Sequence, residues 1–104
     1  MRIRKNELLE NERTQQLAKT SDALAHPARV SIFRYILKEN MERRPVRNKD
    51  IVEVFPYSQA TISQHMNKLV QGNLVEAKQE GTSTLYYANV GELEQYINLL
   101  RSFD

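Results

Sequence analysis

Gln59, Ser63 and Gln64, with Ala60 and Asn67 beside them, fall on one face of a helix-like run between residues 58 and 72. A solvated helix face ordinarily carries Lys and Glu. This one carries amides and hydroxyls, which is what pairing with base edges in a DNA groove requires: Gln meets adenine with two hydrogen bonds, and Ser donates or accepts. Ser58 and Thr61 sit at the start of the run, where hydroxyls and free backbone amides together suit a phosphate. His65 lies within the same run and is counted with these residues. Upstream, Arg43, Arg44, Arg47 and Lys49 supply positive charge for a phosphate backbone, with Arg47 and Lys49 nearest the helix. Downstream, Lys78 and Thr82 are placed to touch the backbone weakly. The plainer alternative is an ordinary amphipathic helix with an uncharged outer face.

No other residue set points to chemistry. His26 and His65 are the only histidines and there is no Cys, a poor basis for a metal site. No Ser/His/Asp set, glycine-rich phosphate loop or close carboxylate pair stands out, so an enzyme is not expected and no cofactor is indicated.

Helices and one hairpin must position the polar face. Ile62, Met66 and Leu69 form the opposite, apolar side of the same helix, which Ser58 caps and Gly72-Asn73 ends. Asn48 is read as the cap of a short helix over 49–55, broken by Pro56-Tyr57. Two helices joined by a turn this short are a helix-turn-helix pattern. Pro27 opens an earlier helix that runs to about Asn40, with Val30, Phe33, Ile36 and Leu37 on its apolar side. Ser21-Asp22 is read as capping a short helix through Ala25, and residues 41–47 as a basic loop broken by Pro45. Leu74–Lys78 and Ser83–Ala88 are strand-like, with Glu80-Gly81 as the turn of a β-hairpin. The fold expected is mainly α with a small β-hairpin. It is a winged helix-turn-helix domain over residues 1–104, with the helix-turn-helix at about 48–72 and the wing at about 74–88.

Extra helices are expected at each end, about 4–20 and 91–103. Their apolar stripes, Leu8, Leu9 and Leu17 on the first and Leu93, Tyr96, Ile97, Leu100 and Phe103 on the last, are broader than a small winged domain needs. Either they pack on each other within one chain, or they form a two-fold dimer interface. A dimer would set two recognition helices about one turn of DNA apart.

The net charge is only +2, but it is unevenly spread. Residues 26–72 hold eight Lys/Arg against four Asp/Glu, and residues 73–104 hold two against five. The basic part contains the polar helix, which suits an anionic partner there. No apolar run is long enough to cross a bilayer or to serve as a signal peptide, so the cytoplasm is the expected location.

These residues carry a resemblance. Leu24-Ala25-His26-Pro27-Ala28-Arg29, Ser58-Gln59-Ala60-Thr61-Ile62-Ser63-Gln64-His65-Met66, Leu74-Val75, Gly81 and Leu85-Tyr86-Tyr87 resemble the ArsR family of bacterial transcriptional regulators, over roughly residues 17–90. The resemblance implies a homodimeric winged-helix repressor that dimerises through its terminal helices and leaves its operator when an inducer binds. The family's metal-sensing positions do not match. Arg47 to Lys49 stand where Cys would be, and Gly91, Glu92, Leu93 and Glu94 open the last helix without Asp or His. Gln64 replaces a residue often basic, and the wing tip lacks its usual Arg.

The function expected is therefore sequence-specific binding of double-stranded DNA by a homodimeric repressor that occludes a promoter, its effector unknown. The alternative is a winged-helix protein-interaction module without specific DNA binding, which the Arg-free wing keeps open.

Overall fold

In a computed structural model, residues 11–103 are described. Helix α1 spans Glu12–Ala23, α2 Pro27–Met41, α3 Asn48–Val54, α4 Gln59–Gln71 and α5 Val90–Arg101; strand β1 is Val46–Arg47, β2 Val75–Glu80 and β3 Ser83–Ala88. The expected order of elements is thus present. Leu8 and Leu9 lie outside the described residues.

Local chemistry explains most boundaries. The Asn11 side chain accepts from the Arg13 and Thr14 amides at the start of α1, and Asn89 accepts from Glu92 N at the start of α5. His26 caps α2, its ring nitrogen Nδ1 accepting from Ala28 N at 3.1 Å, with Pro27 in the first helical position. Both α2 and α4 end in the same left-handed turn. Arg43 has φ 63° and Asn73 φ 61°. Leu74 N donates to Leu69 O and Asn73 N to Val70 O, while Arg44 N donates to Glu39 O and Arg43 N to Asn40 O. Each helix thereby satisfies its last carbonyls through the paired bonds of a Schellman turn.

Four sequence expectations are corrected. Helix α1 runs unbroken through Ser21 and Asp22 to Ala23, so those residues cap nothing new. Its final carbonyls find donors from beyond the helix: Leu24 N and Ala25 N donate to Thr20, Ser21 and Asp22, and Arg29 donates to Asp22 and Ala23. Asn48 is the first helical residue of α3 rather than its cap; Arg47 takes the cap position, and its amide donates to the Asp50 carboxylate at 2.8 Å. The wing has three strands, in the order β1-β3-β2, because Val46 and Arg47 pair with Tyr86 and Leu85. Finally, Glu80 ends β2 opposite Ser83, so the turn is Gly81-Thr82, with Gly81 at φ 61°. A positive φ at the first of two turn residues is the II′ pattern that Gly permits.

The core gathers Ile32, Phe33 and Ile36 of α2, Ile51 of α3, Ile62, Met66 and Leu69 of α4, and Val46, Leu74, Val75 and Tyr86 from the wing and its approaches. Asn40 ties the wing to α2: its Oδ1 accepts from Ala88 N at 2.7 Å, and its Nδ2 donates to Arg44 O at 2.9 Å. Helix α1 packs across the C-terminal end of α4, where Ala23 is fully buried.

Candidate nucleic-acid interface

Helices α3 and α4 and the wing enclose an open groove of about 550 Å³. It brings together Arg47, Lys49, Gln59, Ser63 and Thr82, five of the residues expected to meet DNA. Residues from 47 to 82 in the sequence thus share one concave surface. The groove follows from how each element is anchored. Ile62, Met66 and Leu69 bury one side of α4, leaving Gln59, Ser63, Gln64 and Asn67 exposed on the other. Ile51 buries α3, and pairing of β1 with β3 fixes Arg47 at the junction of wing and helix.

The exposed polar face of α4 is available to a ligand. Among the described residues, the side chains of Gln59, Ser63 and Gln64 have no hydrogen-bond partner. At the helix N-terminus, Ser58 Oγ accepts from Thr61 N at 3.2 Å and donates to Thr61 Oγ1 at 3.0 Å. With that bond accepted, the Thr61 hydroxyl donates to no acceptor among the described residues and sits at the first turn of the helix. An oxyanion there would meet a hydroxyl donor and the positive end of the helix dipole.

The positive charges differ in how free they are. Arg44 is ion-paired with both Glu39 and Glu42, so its charge is largely spent within the chain. Among the described residues, Arg47 and Lys49 form no ion pair, and they line the groove. Lys78 is exposed on β2, away from the groove lining, between Glu76 and Glu80 on a strand that is exposed from Glu76 onward.

His65 does not join the exposed set. Only 8% of it is accessible. Its ring packs at 4.8 Å from His26 and edge-on at 6.0 Å from Tyr57. Helical spacing puts His65 next to Met66 and one turn from Ile62 and Leu69, on the inner side of α4. Its place beside Gln64 in the sequence concealed this.

Several groove residues were not singled out from the sequence. Asn48, Ser83, Thr84 and Tyr86 line the same surface, and Asn48 Oδ1 is buried with no hydrogen-bond partner among the described residues. Burial pushes the Tyr86 phenol up from its ordinary value, so it remains a neutral donor at the groove floor. Pairing of β1 with β3 would have revealed them, but a strand of two residues has no periodicity to detect.

At the other end of the molecule, α1 and α5 meet. Leu93 packs on the core, and Ser21 Oγ and Tyr96 Oη lie 2.9 Å apart. Leu17 and Tyr96 line a second groove between these helices. Ile97, Leu100 and Phe103 turn outward, at 37%, 41% and 61% exposure. The apolar stripe of α5 is therefore divided: part is spent within the chain and part is presented to the surroundings.

A family model described as a helix-turn-helix domain matches residues 24–77, just over half of the chain. The chain belongs to this helix-turn-helix domain family. No curated protein matches it. Among solved structures it is similar to an ArsR-like transcriptional regulator from Rhodococcus sp. RHA1, with 25% identity over 84% of this chain and 77% of that one and a TM-score of 0.72. It is also similar to a homodimeric winged helix-turn-helix DNA-binding domain from Mycobacterium bovis, a possible ArsR-family regulator. There the identity is 21% over 96% of this chain and 87% of that one, with a TM-score of 0.71. NolR from Sinorhizobium fredii matches at 21% identity over 99% and 97%, with a TM-score of 0.69. The winged helix-turn-helix fold and the ArsR resemblance expected from the motifs are both borne out. At the start of α3, Arg47 and Lys49 bring cations rather than thiolates.

Proposed function

We propose that this helix-turn-helix protein is a homodimeric transcriptional repressor that binds an operator in double-stranded DNA and occludes a promoter. One observation carries the proposal. Gln59 and Ser63 of α4, whose side chains are without partners among the described residues, share a groove with Arg47 and Lys49, which form no ion pair among those residues. Gln59, Ser63 and Gln64 read base edges in the major groove; Arg47, Lys49, Ser58 and Thr61 hold phosphates on either side. Phosphate contacts supply affinity and register, and base contacts supply sequence preference. Thr82 and Lys78 add little, because the wing offers Glu76 and Glu80 beside one Lys and no Arg.

The second subunit supplies the remaining affinity. Ile97, Leu100 and Phe103, with Leu17, Leu93 and Tyr96 behind them, form the core of the dimer interface, as the similarity to a homodimeric domain supports. A two-fold axis there doubles the cationic groove and matches a palindromic site. The protein acts in the cytoplasm, and among the described residues no helix is long and apolar enough to cross a membrane.

The test is a selection of bound duplexes from a random pool, followed by salt-titrated binding to the selected sequence. The proposal expects a palindromic consensus and a steep fall of affinity with salt. The acidic wing favours one competing reading, a protein-interaction module, which expects neither a consensus nor a saturable site.

A further inference from the structure

Helix α4 is contacted from behind by an arginine whose three guanidinium nitrogens are all engaged. Arg29 Nε donates to Ala23 O at 2.9 Å, and Arg29 Nη2 donates to Asp22 O at 3.0 Å. These are the last carbonyls of α1. The remaining nitrogen, Nη1, lies 3.3 Å from His65 Nδ1. A guanidinium only donates, so Nδ1 must accept, and His65 must be the neutral tautomer with its proton on Nε2. One residue of α2 therefore fastens the end of α1 to the inner side of α4.

The surroundings leave a proton on His65 uncompensated. The next turn of α4 carries Lys68, whose Nζ is 3.1 Å from Asp22 Oδ2, so the Asp22 carboxylate is already engaged. The segment before α2 contributes His26, whose ring lies 4.8 Å away and whose Nδ1 is committed to capping that helix. The turn before α4 contributes Tyr57, whose ring meets His65 edge-on. Two of these neighbours, His26 and Arg29, act directly on a charge at His65, and both disfavour it; burial disfavours it more. Protonation of Nδ1 would turn the acceptor into a donor facing a donor.

We propose that Arg29 and His65 form a proton-sensitive latch, with His26 and Tyr57 packed around it, that seats the recognition helix against α1 and α2. These are positioning residues, reaching DNA only through α4. The inference rests on the proposed DNA-binding reading for its consequence. Above the ordinary histidine range the latch is closed and the Gln59, Ser63 and Gln64 face is held in register with Arg47 and Lys49. Acid opens the latch and α4 loses its seat. The sign is distinctive. A basic groove alone binds DNA more tightly as pH falls, because histidines gain charge; an opening latch binds it more weakly.

Two measurements on the full chain decide the matter. An NMR titration from pH 8 to 5 follows the imidazole resonances of His65 and the backbone amides of α4. The amides of residues 63–68 are expected to shift with the same midpoint as His65, below the ordinary histidine value. Binding to a selected duplex is expected to weaken between pH 7.5 and 5.5, in step with protonation of His65. His65→Asn keeps a side-chain acceptor without titrating, so the acid-induced weakening should vanish in that variant. Affinity that holds steady or rises on acidification, or His65 titrating with the α4 amides unmoved, would overturn the latch. If no DNA is bound at any pH, the DNA-binding reading fails, and the NMR arm still decides the latch.

Discussion

Thr20 Oγ1 donates to Gly72 O at 2.9 Å in a buried contact, at the point where α1 crosses the end of α4. A Cβ added to Gly72 would lie 2.7 Å from Ala23 Cβ and 3.1 Å from Lys19 O. Gly72 is therefore needed for close approach, its φ of −79° being open to any residue, while the left-handed position that ends the helix belongs to Asn73. Gly72→Ala should destabilise the fold by about 1–3 kcal/mol through overpacking against backbone and a buried methyl. Thr20→Val should cost about 1–2 kcal/mol by removing the shorter of two side-chain donors to the Gly72 carbonyl, Gln16 Nε2 lying 3.5 Å away. Denaturant unfolding of both variants checks these values; a neutral Gly72→Ala would mean that α1 does not pack here.

Arg43 offers the opposite test. Its φ of 63° places a long side chain in the left-handed region at the end of α2, where Gly is the usual occupant. A non-Gly residue there costs about 1–2 kcal/mol, and the extra backbone entropy of Gly in the unfolded chain costs about 0.5–1 kcal/mol. The strain wins by a small margin. Arg43→Gly should stabilise by about 0.5–1 kcal/mol, read as a rise in melting temperature, whereas Asn73→Val, with a β-branched residue at φ 61°, should lower it.

The stability of the protein should fall in mild acid. Burial, then His26 and Arg29, lower the pKa of His65 below its ordinary 6.5. The unfolded chain thus takes up a proton at a higher pH than the folded one. The stabilisation is fully present above about pH 6.5 and is lost as pH falls from there through the folded-state value. Thermal unfolding at pH 7.5 and 5.5 should show this loss, and His65→Asn should reduce it.

DNA contacts should separate into two kinds. Gln59→Ala, Ser63→Ala and Gln64→Ala should each relax base preference, with a loss of about 1–3 kcal/mol on the selected sequence and little on random duplex. Arg47→Ala and Lys49→Ala should weaken both alike and reduce the salt slope by about one per phosphate lost in each half-site. Arg44→Ala should change binding least of the basic residues, because Glu39 and Glu42 already hold it. Fluorescence anisotropy at several salt concentrations reads all six.

Much of the fold was legible because its signals are periodic or covalently fixed. Ile62, Met66 and Leu69 recur at helical spacing, Pro27 and Ser58 mark helix starts, and Gly81 marks the wing turn. What escaped detection depends on contacts between distant segments. Strand β1 exists only because Val46 and Arg47 find Tyr86 and Leu85. Helix α1 passes through Ser21 and Asp22 because Arg29, on the next helix, takes up carbonyls at its end. His65 and Gln64 are adjacent in sequence, yet neighbouring helical positions are about 100° apart and face different surroundings. The groove set of Arg47, Lys49, Gln59 and Ser63 could be chosen by residue type. Its unity, and the presence of Asn48 and Tyr86 within it, required the wing to be in place.

The proposed function stands or falls on whether the α4 groove binds DNA with sequence preference. The most direct measurement is the affinity of the intact protein for a duplex selected from a random pool, compared with unselected duplex of equal length, across a salt series. Saturable binding of two chains per palindromic site is expected, with a preference of at least about a thousandfold over random duplex and a steep loss of affinity with salt. Equal affinity for both duplexes, or no saturable binding to either at low salt, would contradict it.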